Sequence, residues 1–143
     1  MLTNLLAGTF VITLTVITHT LGLIGVTHAT GWMVARFRLH GRRSRIFAMV
    51  SVVYGIFAIL TVEIWLWATC YILIGAFQDF PSALYFSTIT FSTVGYGDLV
   101  PDVHWRLFAA LEGVNGFLLI GWSTAYLIAA GTRIGPFRTG EHF

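Results

Sequence analysis

The stretch TITFSTVGYGDLVP, residues 88 to 101, breaks a largely apolar sequence with two glycines in three residues, a tyrosine between them and an aspartate directly after. Irregular backbone at membrane depth is tolerated only where it is buried in protein or lines a water-filled path. Gly95 and Gly97 permit positive φ angles, so successive carbonyl groups can all point one way. A ring of such carbonyls can replace the hydration shell of an ion. The segment is therefore predicted to line a path for ions.

The composition places the chain in a membrane. Of its 143 residues, 57% are hydrophobic and 10% are charged, whereas soluble domains carry about 25% charged residues. The length allows one domain with three or four membrane segments. A formal net charge of +2, with no arginine cluster alternating with exposed aromatic residues, argues against nucleic-acid binding. The five histidines are scattered and no Ser-His-Asp set shares a plausible pocket, so we expect no enzyme.

Three apolar stretches, at about residues 5–34, 46–77 and 105–131, are long enough to cross a bilayer. The first two are separated by RFRLHGRRSR, residues 36–45, which holds five of the eight basic residues, all of them arginine. The positive-inside rule places this loop and the arginines after the third stretch in the cytoplasm. Three crossings then put the N-terminus outside and the C-terminus in the cytoplasm. The loop is read as a topology anchor, with binding to anionic membrane lipid as the alternative.

A short helix is predicted just before the glycine-containing loop. Asp79 is placed to cap a helix, and Pro81 is tolerated in its first turn. A helix over residues 81–91 is too short to span a membrane, and irregular backbone follows it. This order is typical of a re-entrant loop between the second and third spans.

At this point the chain resembles the potassium channel family. STVGYGDLVP matches the family signature, and the resemblance covers about residues 46–131, from outer helix through pore helix and filter to inner helix. It implies an all-α membrane protein with three transmembrane helices, one more than a bacterial pore-only channel, plus a re-entrant pore helix and filter loop. It also implies a homotetramer in a bacterial inner membrane. The units are then a helix at 1–35, a basic cytoplasmic loop at 36–45, the pore domain at 46–131 and a cytoplasmic tail at 132–143.

The resemblance also assigns the filter chemistry. K⁺, the only ligand expected besides membrane lipid, would be coordinated by the Thr93 side chain and by the carbonyls of Thr93, Val94, Gly95 and Tyr96, with Gly97 completing the outer mouth. Many family members place an acidic residue in the pore helix behind the filter. Ile89 stands there in this sequence, so Asp98 is expected to find another partner, either Tyr85 or a water molecule.

The third span resembles the inner helix of the family. By that resemblance Gly116 matches a gating hinge, with close helix packing as the alternative. Phe117, Ile120 and Thr124 follow at i, i+3 and i+7 on one helical face, which would line the cavity. With Gly116 they are the candidate gate, and motion of the filter itself is the alternative.

Two acidic residues lie within the predicted spans. Glu63 is expected to act either as a proton or ion sensor or as a polar staple to His19 or a threonine of the first span. Glu112 is expected either to tie its helix to the pore helix or to raise the local K⁺ concentration.

Three alternatives to a potassium channel remain at this stage. A non-selective cation pore fits less well because Tyr96 and Gly97 are intact. A potassium uptake transporter would carry several degenerate filter repeats, and this sequence has a single copy. A non-conducting accessory subunit would form no tetramer and carry no flux.

Overall fold

The structure, a computed structural model, describes residues 1–37 and 42–134. Within these residues the chain is helical, with α1 at Leu2–Phe37, α2 at Arg42–Leu73, α3 at Phe80–Phe91, a short 3₁₀ turn at Val103–Trp105 and α4 at Arg106–Arg133. Three helices are long and apolar enough to cross a membrane: Leu2–Arg36, Ser44–Leu73 and Val103–Arg133. The predicted fold class, an all-α membrane protein with three long spans, is confirmed.

The helices extend further into the basic segment than predicted. α1 continues to Phe37 and α2 already begins at Arg42, so much of the predicted loop at 36–45 is helical. Arginine is a good helix former, and the prediction of a ten-residue loop was wrong for this reason. Residues 38–41, and residues 135–143 of the predicted tail, lie outside the described residues.

α2 ends at Leu73, about four residues before the predicted end. Gly75 adopts a positive φ of 71°, the conformation in which glycine commonly terminates a helix. The Ala76 amide donates to the Tyr71 carbonyl at 2.9 Å, and the Gly75 amide donates to the Ile72 carbonyl at 3.1 Å. This pair of hydrogen bonds is a Schellman motif, which satisfies the last carbonyls of α2 and turns the chain toward α3.

The start of α3 follows the predicted capping. Asp79 is the N-cap, and its carboxylate accepts a hydrogen bond of 2.9 Å from the Ser82 amide. That bond lowers the pKa of Asp79 because it favours the ionised carboxylate. Pro81 occupies the first turn, so the helix begins at Phe80, one residue before the predicted start. With 12 residues, α3 is too short to cross a membrane.

Aromatic side chains hold α3 between α2 and α4. Tyr71 of α2 lies at the centre, with ring centroids 5.2 Å from Phe86 and 5.3 Å from Phe108, both in edge-to-face geometry. Trp67 contacts Phe108 at 5.0 Å in the same arrangement. Tyr71, Trp67 and Phe108 are fully buried. This cluster fixes the position of the short helix, and hence of the loop that follows it.

α1 packs against both α2 and α4, and its contacts with the α4 segment occur at several levels. At one end the Asn4 side-chain amide donates to the carbonyl of His104 at 3.0 Å. Midway the Asn115 amide donates to the Thr15 hydroxyl at 2.9 Å, and near the other end the Thr27 and Tyr126 hydroxyls are 2.7 Å apart. The sequence left the packing of the first span open. Within the chain, α1 braces the helix that follows the glycine-containing loop.

Candidate ion-conducting site

The loop after α3 has an alternating backbone. Thr93, Gly95 and Gly97 have positive φ angles of 62°, 54° and 74°, while Val94 and Tyr96 between them do not. Alternation of left-handed and right-handed residues directs successive carbonyl groups to the same side of the chain, whereas in a strand they alternate. The backbone therefore has the conformation that the two glycines predicted, and it extends one step further, to Thr93.

Thr93 is the residue that sequence reasoning did not anticipate in this conformation. A β-branched residue with positive φ is an outlier and carries strain of roughly 1–3 kcal/mol. Hydrogen bonds to the end of α3 hold it there. The Thr93 amide donates to the Thr90 carbonyl at 3.0 Å, and the Gly95 amide donates to the Ile89 carbonyl at 2.9 Å. α3 thus fixes the first half of the loop through its own backbone.

The outer half of the loop is tied to α3 by a side chain. The Tyr85 hydroxyl donates to the Asp98 carboxylate at 2.7 Å, and the other carboxylate oxygen accepts from the Leu99 amide at 3.1 Å. Ile89 is buried and offers no polar side chain. Tyr85 is one of the two partners expected for Asp98 from the sequence, the other being a water molecule.

The loop is uncovered within the chain. Residues 93–98 are all exposed, and Val94 and Tyr96 leave 52% and 73% of their surface free. Added Cβ atoms at Gly95 and Gly97 would meet no atom within 4 Å. A strained loop persists only where its surroundings determine it, and the described part of the chain supplies such surroundings only on the α3 side. The remaining sides are open to neighbouring molecules.

Gly116 lies where α4 crosses the end of α3. It is buried, and a Cβ at this position would collide with the backbone carbonyl oxygen of Phe91. Because the obstructing atom belongs to the backbone at the base of the loop, it cannot move without disturbing the loop. The contact is the close packing that was the alternative to a hinge at Gly116, and the hinge role stays a prediction.

Gly116→Ala is expected to lower the free energy of unfolding by about 3 kcal/mol, because overpacking against backbone leaves no side chain free to yield. Gly121→Ala is the matched control, since an added Cβ at Gly121 meets nothing within 4 Å. Thermal denaturation followed by circular dichroism in detergent measures both variants. A Gly116→Ala variant as stable as the control would contradict the packing role and leave the hinge as the explanation for this glycine.

The predicted cavity face of α4 is open within the chain. Phe117 leaves 68% of its surface exposed, Thr124 is exposed and Ile120 is partly buried. The Thr124 hydroxyl donates to the Ile120 carbonyl at 2.9 Å. Ile120 packs partly against the hydrophobic core, and the part of the three residues in a cavity or gate stays a prediction.

Glu112 is fully buried and joins three helices. Its carboxylate accepts hydrogen bonds from the Tyr71 hydroxyl of α2 at 2.6 Å and from the Ser87 hydroxyl of α3 at 2.5 Å. The Ser87 hydroxyl also lies 2.9 Å from the carbonyl of Ile64. The geometry is that of a tie to the pore helix. Since the carboxylate faces this packed junction, it is not exposed to a solvent path within the chain.

Glu63 is also fully buried and bonds to the first span. Its Oε1 atom lies 2.9 Å from His19 Nδ1, and the Oε2 atom has no partner among the described residues. The other ring nitrogen of His19 lies 3.5 Å from the Ser123 hydroxyl of α4. The contact is the staple to His19 that the sequence suggested, and it also reaches α4. The role of Glu63 as a proton or ion sensor stays a prediction.

His19→Leu is expected to lower the free energy of unfolding by about 3 kcal/mol, because it leaves the Glu63 carboxyl buried with no partner. Replacing both residues by leucine should recover most of this loss, since removing both members of a buried pair is often close to neutral. Chemical denaturation in detergent, followed by circular dichroism, measures the three proteins. A double variant no more stable than His19→Leu would show that the loss comes from packing around the histidine.

Sequence reasoning did not identify which polar side chains on neighbouring helices bond to each other. The signal for Tyr71 and Ser87 was present, because a buried carboxyl needs hydrogen-bond donors. Nothing in the linear sequence selected these two among the many hydroxyls of the spans. Asn115, paired with Thr15, had the same ambiguity.

The family model described as "Ion channel" matches residues 59–133, slightly more than half of the chain, including all of α3, the loop and all of α4. The chain belongs to the ion channel family. No significant match was found among curated proteins or among solved structures. With its three membrane-capable helices, this channel is an integral membrane protein.

Proposed function

We propose that this channel conducts K⁺ selectively and passively as a homotetramer, with four copies of residues 93–97 forming the filter. The observation that carries the proposal is the positive φ at residues 93, 95 and 97, because this alternation aligns successive carbonyls in a backbone that is not helical. Aligned carbonyls replace the hydration shell of K⁺. Under the proposal the Thr93 side chain and the carbonyls of residues 93–96 coordinate the ion, and Gly97 completes the mouth.

Large side chains that remain exposed in the single chain support the proposed tetramer. The large side chains of Val94 and Tyr96 leave more than half of their surface exposed within the described residues. The Phe117 face of α4 is likewise uncovered. Cyclic symmetry around the loop would place four carbonyl rings on one axis and would cover these side chains with the neighbouring subunit. It would also turn Phe117, Ile120 and Thr124 toward the cavity below the filter.

The proposed orientation has the N-terminus outside and the C-terminus in the cytoplasm, in a bacterial inner membrane. The hydrogen bond from Asn4 to His104 places the start of α1 beside the segment that follows the filter. α1 then crosses to Arg36, at the arginine-rich end. The positive-inside rule supports a cytoplasmic location for that end, which leaves the filter mouth outside.

Reconstitution tests the function. Purified protein in liposomes is expected to carry K⁺ down its gradient, with a reversal potential that follows K⁺ and is insensitive to Na⁺. Cross-linking before denaturing electrophoresis is expected to give a tetramer. Equal permeability to Na⁺ would establish the non-selective pore instead. A protein that forms no tetramer and carries no flux at any pH, voltage or lipid composition tested would be an accessory subunit.

A further inference from the structure

Two cavities meet at the end of α4 that is remote from the filter. The first, about 150 Å³ in volume, lies between the start of α2 and the end of α4 and includes Arg45 and Arg133 in its lining; we call it the basic cavity. The second, about 300 Å³, lies between α1 and α4 and includes Gly31, Ala129 and Ala130; we call it the apolar groove. Arg133 and Ile134 line both, so the two spaces are adjacent.

Within the described residues, the positive charge of the basic cavity has no acidic partner. The sequence has no aspartate or glutamate at residues 1–62 or 113–140, so both helix segments around the cavity lack acids. Among the described residues, no carboxylate lies within ion-pair distance of Arg45 or Arg133. Guanidinium groups bind phosphate oxygens with paired, parallel hydrogen bonds. The cavity therefore suits a phosphate group that comes from outside the chain.

The apolar groove extends from the basic cavity toward the membrane centre. Its small side chains leave a channel between α1 and α4, and its deeper part reaches Tyr126 and Thr27, whose hydroxyls bond to each other. Tyr126 precedes Arg133 by seven residues, which is about 10 Å along a helix. A free anion gains nothing from such a groove, whereas a hydrocarbon chain attached to the anion would fill it.

We propose that the basic cavity and the apolar groove together bind one anionic phospholipid, with its phosphate between Arg45 and Arg133 and an acyl chain along the groove. The site is independent of the proposed ion selectivity, because it lies at the opposite end of α4 from the filter. It uses α1 for one wall of the groove, so it gives the additional helix a ligand-binding role.

Native mass spectrometry of the purified protein titrated with phosphatidylglycerol measures the headgroup part. Arg133→Gln is expected to weaken binding roughly fivefold, the effect of one basic residue near an anionic lipid, and to weaken phosphatidylcholine binding less, because that headgroup carries no net negative charge. Arg106→Gln is the matched control, because Arg106 is exposed at the other end of α4. An equal loss in both arginine variants would overturn the proposal, since it would reflect only the total charge. Binding of inorganic phosphate as tight as that of phosphatidylglycerol would show an anion site without a lipid and would also overturn the proposal.

Gly31→Leu tests the groove with both arginines intact. A Cβ at Gly31 meets nothing within 4 Å, so the new side chain enters the groove without strain. Gly25→Leu is the control, because its Cβ is equally free and Gly25 lines neither cavity. We expect Gly31→Leu to weaken phosphatidylglycerol binding severalfold and Gly25→Leu to bind as wild type. Equal binding by both variants, with unchanged melting temperatures, would overturn the lipid site.

Discussion

Gly95→Ala is expected to abolish K⁺ conduction in the liposome flux assay. Gly95 has a φ of 54°, a conformation that costs an L-residue with a Cβ roughly 1–2 kcal/mol. In the proposed tetramer, four copies would raise the cost of the aligned filter by about 4–8 kcal/mol, which corresponds to a loss of more than about a hundredfold. The backbone would relax to a negative φ, and the carbonyl beside it would turn away from the ion.

An effect of Gly95→Ala on the backbone conformation can be distinguished from a steric clash of the added Cβ. An added Cβ at Gly95 meets no atom within 4 Å of its own chain, so the helices should fold as in wild type. Gly25→Ala is the matched control, since Gly25 lies in α1 with equally open surroundings and a helical backbone. We expect the control to conduct as wild type and both variants to give the wild-type circular dichroism spectrum. Wild-type flux through Gly95→Ala would contradict the assignment of the filter to this loop.

Local signals made the helices and the loop predictable. The apolar stretches exceed the thickness of a bilayer, Asp79 and Pro81 mark the start of α3, and alternate glycines mark the loop. Each of these depends on residues close in sequence. The end of α2 at Gly75 was equally local, because a glycine after an apolar helix is a common stop signal. Hydropathy alone favours a span that continues past Gly75, and the predicted end of the second span was too late for this reason.

Positions set by tertiary contacts were harder to predict. Threonine is disfavoured at positive φ, so local preference opposes the conformation that Thr93 adopts. Hydrogen bonds to the end of α3 impose it. For Glu63 and Glu112 the need for a partner was clear from burial in a membrane, and His19 was one of several candidates. Tyr71 and Ser87 are separated from Glu112 by 41 and 25 residues, and only the packing of three helices brings them together.

Glu112→Leu is expected to lower the free energy of unfolding by about 3 kcal/mol and to loosen the pore helix. The Tyr71 hydroxyl would lose its partner while remaining fully buried, which costs about 1–3 kcal/mol. The Ser87 hydroxyl has a second acceptor at the Ile64 carbonyl, 2.9 Å away, so it can redirect its proton. Most of the polar loss therefore falls on Tyr71. The remainder reflects the imperfect fit of leucine in a site shaped for a carboxylate.

Because Tyr71 depends on Glu112 and Ser87 has a second acceptor, a double-mutant cycle should give a specific pattern of unfolding free energies. Tyr71→Phe alone leaves one Glu112 oxygen without a donor, so we expect a loss of about 1–2 kcal/mol. Combining Tyr71→Phe with Glu112→Leu removes donor and acceptor together, and the double variant should be more stable than Glu112→Leu alone. Ser87→Ala added to Glu112→Leu should have little further effect on the hydrogen bonding of Tyr71. If the losses of Tyr71→Phe and Glu112→Leu simply add, the carboxylate does not depend on Tyr71. The tie between the pore helix and α4 would then rest on the aromatic cluster and on the contact of Gly116 with Phe91.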